Sequence, residues 1–430
     1  MNKKILTSIL LIINIVIIKA EADPNTVNLA RAFGRDIFEL NGVPYLQPLV
    51  ETLNATSNSR FFNQAYVPQK VDKPYFRIGA HAMLGFVRND MKTYNPAMPA
   101  EQLDMNELSK YADIDIINQK VTIKDTSGLM YYALKTILYD GIHGTNKYNK
   151  VFIHVPVTSA TILGYQNAKF SLPHSAMDSL IRGHFIFPFL PKEFQDSLLK
   201  TISRFPDLFS LPPGADMNTI FAAVPQFEIG SLWGTEMLVR FIPPVDMGEN
   251  IGDFDFWGVG LKHSISQYFD ERYFDLAVQV VYQGTHLENK IGVTNSDLRA
   301  DGTFWDFNIH ISKTFFDDKF NIYLGLSYEI FNINSNFTYY LPVETQWQLG
   351  LLRGEMTYPP GKDSVYIIHK PEPELGFPGD TLPQTSNLRI TNTNFKFVFG
   401  LTYQLGPVAI FLDYNISKFN IFTGGIEFRF

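Results

Sequence analysis

His310 and Ser312 lie two residues apart in the alternating run Trp305 to Ser312, so they share a polar strand face while Ile309 and Ile311 take the other. A histidine beside a serine is the pairing that acyl transfer uses, imidazole as base and hydroxyl as nucleophile. Other chemistry-bearing residues fall on equivalent polar faces: Arg77, His81, Glu228, Glu236, Arg240, Asp275, Asp306, Glu329, Lys396, Asp413, Glu427 and Arg429. Such a mixture of signs reads first as charges that satisfy one another inside a narrow enclosure. Arg77 and Arg240 are singled out as ligand-binding candidates, because a guanidinium can hold a carboxylate in two parallel hydrogen bonds. A different ligand chemistry is offered by Lys192 to Arg204, where Phe194, Leu198, Leu199, Ile202 and Phe205 recur at helical spacing, continued by Leu208, Phe209 and Leu211. That stripe either packs on its surroundings or forms a groove for an apolar molecule. The chain has no cysteine, and its nine histidines lack ligand spacing, so no metal, cofactor or cysteine nucleophile is expected.

These residues need strands to position them, and the C-terminus shows which kind. Ile426, Phe428 and Phe430 alternate with Glu427 and Arg429 up to a terminal phenylalanine. This is how an outer-membrane β-barrel turns an apolar face to lipid and a polar face inward. Further alternating runs precede it: Val408–Ile416, Phe395–Tyr403, Ile322–Ile330, Trp305–Ile311, Phe274–Tyr282, Trp257–Ile265, Met237–Phe241, Phe227–Ile229 and Phe76–Phe86. Tight turns are expected at Ser231 to Gly234, Phe269 to Arg272, Phe316 to Lys319 and Leu405 to Pro407. Long links are expected over Pro243 to Asp253, Thr285 to Gly302 and Asn332 to Ser386. Counted back from a periplasmic C-terminus, those four turns fall inside and every long link outside; the short Ser417-Lys418 turn also falls outside. Tyr268, Phe269, Tyr273, Phe274, Phe315, Phe316 and Phe320 flank the inner turns, as a headgroup-level girdle would. The expected fold is all-β: a transmembrane antiparallel up-and-down barrel of 10–14 strands, even in number.

At the other end, Lys3 and Lys4, the apolar Ile5 to Ile18 and the Ala20-Glu21-Ala22 site read as a cleaved signal peptide over residues 1–22. No second apolar run is long enough for a spanning helix. Net charge is −7 with scattered basic residues, which argues against a nucleic-acid partner. Three segments lie outside the wall. Residues 23–74 form a plug-like segment, helix-like over Val27 to Leu40 and irregular over Asn54 to Gln69. The insert 89–220 carries the Lys192 to Arg204 helix and a β-rich stretch, Val151 to Gly164, that could add a strand pair to the wall. The loop 332–386 holds seven of the 25 prolines and reads as irregular. The barrel itself occupies residues 75–430.

Ser59-Arg60-Phe61-Phe62-Asn63-Gln64-Ala65 resembles the Phe-Asn-Pro-Ala element of the long-chain fatty-acid transporter family, with Gln64 in place of the proline. That resemblance implies a fourteen-stranded barrel with an N-terminal hatch and a hydrophobic groove on its long loops. Gly230 to Glu236 and Gly258 to Tyr268 are more similar to a family of exported barrel proteins without an assigned function. His310-Ile311-Ser312 resembles the outer-membrane phospholipase pattern, but Lys313-Thr314 replaces its Asn-Gly and the pair points inward, so no enzyme is expected. The leading functional expectation is passive uptake of a hydrophobic small molecule, such as a fatty acid, captured by the insert and gated by residues 23–74. The alternatives are a closed barrel that docks a surface or secreted protein, and a general porin. Each would act as a monomer in contact with lipid in the outer membrane of a Gram-negative-type bacterium, after Sec-dependent export.

Overall fold

The computed structural model describes residues 22–61, 64–67, 74–115, 120–246, 248, 252–270, 273–291, 296–317, 319–357 and 365–430. The expected signal peptide, apart from residue 22, lies outside them. Ten antiparallel strands close into a barrel in which every strand pairs with its sequence neighbours and the first pairs with the last. They are β1 (Tyr75–Phe86), β2 (Thr219–Leu232), β3 (Thr235–Asp246), β4 (Asp253–Ser264) and β5 (Asp275–Ile291). The remaining five are β6 (Ser296–Phe315), β7 (Phe320–Tyr339), β8 (Gln384–Leu405), β9 (Val408–Ile416) and β10 (Ile421–Arg429). The insert adds no wall strand. Its short ladders pair only with each other, and Val151 to Gly164 contributes just Ser159–Ala160, bonded to Thr93–Tyr94.

One end of the barrel carries the connections from β2 to β3, β4 to β5, β6 to β7 and β8 to β9. The second of these is longer than the tight turn expected and includes a 3₁₀ turn over Ser266–Tyr268. The other end carries the insert and the remaining links. Tyr268, Phe269, Tyr273, Phe274 and Phe316 are exposed around the turn end.

Two expected links are in fact wall. Thr285 to Gly302 is a continuous hairpin, paired from Thr285↔Gly302 to Ile291↔Ser296. Likewise β7 and β8 stay paired from Ile330↔Thr393 to Tyr339↔Gln384, which shortens the 332–386 loop to 340–383. Their lengths of 17, 20, 20 and 22 residues let β5 to β8 stand above the 9- and 12-residue strands.

Along these long strands the faces exchange character. On β8, Phe395, Phe397, Phe399 and Tyr403 point outward and are 43–67% exposed. Beyond them the outward positions become Thr393, Thr391, Arg389, Asn387 and Thr385. On β7 the inward positions change from Tyr323, Ser327 and Glu329 to Phe331, Ile333, Phe337 and Tyr339. The change falls on one register level, where Tyr282, Trp305 and Ile330 are the last apolar outward residues and Gly284, Thr303 and Asn332 follow. An alternating strand buries whichever face is apolar or neutralised, so the exchange marks a change of surroundings at that level.

The lower section has an apolar outside and a polar inside; the upper section has the reverse. The greasy sleeve is filled by the helix α1 (Pro24–Ser57). Asp23 caps it, accepting from the Thr26 amide at 3.1 Å, with Pro24 at the first helical position. The expected end at Leu40 is overrun: Pro44 and Pro48 sit inside the helix. Each proline removes one ladder hydrogen bond, and the burial of the surrounding face offsets that loss. Tyr45, Leu46, Leu49, Val50 and Leu53 pack against Leu298, Phe304, Phe331, Ile333, Phe337 and Ile390. Each such side chain contributes about 1.5–3 kcal/mol of apolar burial.

The N-terminal half of α1 packs instead into the insert. There Val27, Leu29, Ala30, Phe33 and Ile37 join a core with α2 (Met105–Tyr111), α3 (Thr126–His143), α4 (His174–Gly183) and α5 (Lys192–Arg204). One helix therefore ties the insert to the barrel interior.

Candidate functional site

Below Ser57 the chain leaves the helix and runs through the polar section of the lumen. Arg60 makes the bend with φ 51°, a left-handed conformation uncommon for a side chain other than glycine, asparagine or aspartate. Its guanidinium is fully buried. Nη1 donates to Asp413 Oδ2 at 3.3 Å and to the Tyr323 hydroxyl, and Nη2 donates to Glu427 Oε1 at 3.2 Å. The plane lies 3.3 Å from the centroid of the Phe411 ring. In so dry a place the pairing is needed to offset the desolvation of the charge.

The wall reaches back to the same segment. Arg240 donates from Nη1 to the Ser59 carbonyl at 2.9 Å and from Nη2 to the Arg60 carbonyl, while Nε bonds Gln226 Oε1 at 2.6 Å. Lys396 donates to the Asn58 carbonyl at 2.9 Å and pairs with Glu329. Lys262 donates to the Gln64 carbonyl at 3.1 Å and pairs with Glu236 at 2.6 Å. Ser312 Oγ accepts from the Ala65 amide at 2.9 Å, and Thr423 donates to Ser59 Oγ at 3.1 Å. Three cations thus spend hydrogen bonds on backbone carbonyls of an irregular segment, which would otherwise be buried unpaired. Phe61 completes the layer, with Arg240 over its ring at 4.2 Å and Phe304 beside it at 6.3 Å.

The residues singled out from sequence divide accordingly. Arg77 and Arg240 both face the lumen and are both already paired with the protein. Arg77 Nη1 bonds Glu228 at 2.8 Å and Glu236 at 3.3 Å, which neutralises its charge within the wall, and the fork of Arg240 serves the backbone rather than a carboxylate ligand. His81 lies with its Nε2 3.5 Å from Glu427. His310 and Ser312 face inward as expected, and the Ser312 hydroxyl is engaged by Ala65. Asp275 is half-buried and Arg429 exposed, at the rim rather than in the network.

Phe194, Leu198, Ile202 and Phe205 are at most 5% exposed, inside the core that α1 and α4 complete. Phe33 of α1 meets the Phe205 ring edge-on at 5.7 Å. The stripe is therefore packed, and the groove expected on α5 is filled by protein. Arg60 is a central member of this network that the sequence does not single out, because nothing in an irregular segment shows which way a side chain points. Its signal was a lone arginine beside Phe61 in a segment bound for the lumen.

A second feature sits higher, where α1 passes the upper walls of β7 and β8. Gly34, Ile37, Phe38, Tyr45, Leu341 and Leu388 help line a narrow apolar cleft with a cavity volume of about 40 Å³.

The chain is a closed antiparallel β-barrel with an apolar lower exterior, a form compatible with an outer-membrane protein. The chain belongs to DUF6588, a family of unknown function whose model matches residues 1–430. Comparison with curated proteins gives no match. The match shows no link to the fatty-acid transporters, and the wall has ten strands where that resemblance implied fourteen.

Proposed function

We propose that this protein is an outer-membrane barrel that captures a hydrophobic small molecule on the side of its insert, with its lumen shut in the state described. The exchange of wall faces carries the reading. The outward apolar stretch of β8, Phe395 to Leu405, has the roughly 9–11 residues a tilted strand needs to cross a bilayer. Above it, the sleeve is apolar inside and polar outside, and beside the helix α1 that fills it an apolar cleft remains. Residues 58–61 and 64–67 act as a plug under that sleeve. Onward passage of a ligand requires release of the hydrogen bonds from Arg240, Lys262 and Lys396. The filled lumen disfavours a general porin.

Native mass spectrometry of protein extracted in mild detergent tests capture. A retained apolar molecule supports the reading, and a protein that neither arrives loaded nor takes up any apolar molecule contradicts it. One observation favours docking of a surface protein as a second role: Met105, Phe185 and Phe189 are 48–64% exposed along a groove of about 290 Å³ on the insert. Phe185→Ser with Phe189→Ser would abolish such docking and leave small-molecule capture intact.

A further inference from the structure

We infer that the cleft beside α1 is the capture site, and that it selects a neutral, elongated apolar molecule with a single hydrogen-bonding head over a carboxylate of the same length. This deepens the capture reading and rests on it. None of the side chains lining the cleft is an aspartate, glutamate, lysine, arginine or histidine. A fatty-acid anion would therefore enter without a counter-charge, whereas an alkyl chain loses nothing there. Asn41 is already committed, donating to the Ile37 and Ala97 carbonyls and accepting from the Ala97 amide. Tyr94, which also lines the cleft, has a buried hydroxyl set beside that of Ser159. A phenol hydroxyl both donates and accepts, so a ligand hydroxyl or carbonyl would give it a second partner.

The shape agrees. A slot this thin accepts an unbranched chain better than a bulky one once the Phe38 and Leu388 side chains turn aside. Gly34 and Gly42 keep the helix face low. A Cβ at Gly42 would come 2.8 Å from the end of Leu388, while one at Gly34 would meet nothing nearer than 3.8 Å. Gly34→Leu therefore places a side chain into the cleft without a backbone clash, and it raises helix propensity.

The experiment measures retention of radiolabelled 1-hexadecanol and of hexadecanoate by the full-length protein in nanodiscs at pH 8, against empty nanodiscs. The alcohol is expected to be held at least about tenfold more tightly than the acid, a difference of roughly 1.4 kcal/mol. Gly34→Leu should lower alcohol retention about tenfold or more, and Tyr94→Phe by a few-fold, with the heat-dependent gel shift of the folded barrel unchanged in both. Preference for the acid would overturn the assignment of ligand class. Undiminished alcohol retention in folded Gly34→Leu would overturn the site while leaving capture intact. No retention of either compound by the unaltered protein would overturn capture itself.

Discussion

Arg240 Nη1 donates to the carbonyl oxygen of Ser59 at 2.9 Å, joining the barrel wall to a segment 181 residues earlier in the chain. A second nitrogen of the same guanidinium takes the next carbonyl, that of Arg60. The fork thus holds two consecutive peptide groups. A lysine has no planar fork with which to do this.

Arg240→Ala should free both carbonyls and uncover Phe61. The expected loss is about 2–4 kcal/mol, from charge-assisted hydrogen bonds that leave buried acceptors behind. Protease cleavage within 58–67 and a rise in single-channel conductance in planar bilayers are the measurements. Arg240→Lys should fall between the two forms, since one ammonium can satisfy only part of the site.

Arg60 separates charge from backbone geometry. Arg60→Ala leaves Asp413 and Glu427 facing each other without their shared cation, at a cost of about 3–5 kcal/mol. Arg60→Gly loses the same ion pairs but adopts φ 51° freely. Denaturant unfolding should therefore rank the glycine variant above the alanine variant by about 1 kcal/mol.

Ile202 is 3% exposed in the insert core, so Ile202→Asp should open the insert rather than tune a surface groove. Burial of an unpaired carboxylate there predicts a loss of more than about 3 kcal/mol. Limited proteolysis should cut residues 89–220 readily while the barrel keeps its heat-dependent gel shift.

His184 gives the insert an acid sensitivity. Burial holds its pKa below the ordinary histidine value, with the nearby Asp140 carboxylate opposing the shift. The unfolded chain therefore takes up the proton first. The neutral, buried form contributes stability above about pH 6.5, and that contribution is lost as pH falls through the lowered folded value. Hydrogen exchange in α4 should accelerate as pH drops from 7 to 5, beyond the intrinsic chemical trend, and His184→Gln should flatten the response.

All ten wall strands were legible because their lower halves put Phe, Tyr, Ile and Leu at every second position. The upper halves kept the same period with the faces exchanged. Ile333, Phe337 and Tyr339 still alternate with Asn332, Asn334, Asn336 and Thr338, but polar residues on the outward face read as loop. The α5 stripe was legible as a helix from its spacing. What covers it was not, because α1 arrives from far along the chain. Pro44 and Pro48 hid the second half of α1, since only the sleeve around it makes their cost tolerable. The inward charges were legible face by face. Their service to the backbone of 58–65 was not, because period 2 shows where a side chain points and not what it meets.

The most direct test places tryptophan at two positions on the outward face of β8, in a protein whose four native tryptophans are phenylalanine. Phe399→Trp lies in the apolar band and Asn387→Trp lies above the exchange of faces. In liposomes with brominated acyl chains, strong quenching at 399 and none at 387 is the predicted result. Equal quenching at both positions, or at neither, would contradict a bilayer that ends where the wall changes face.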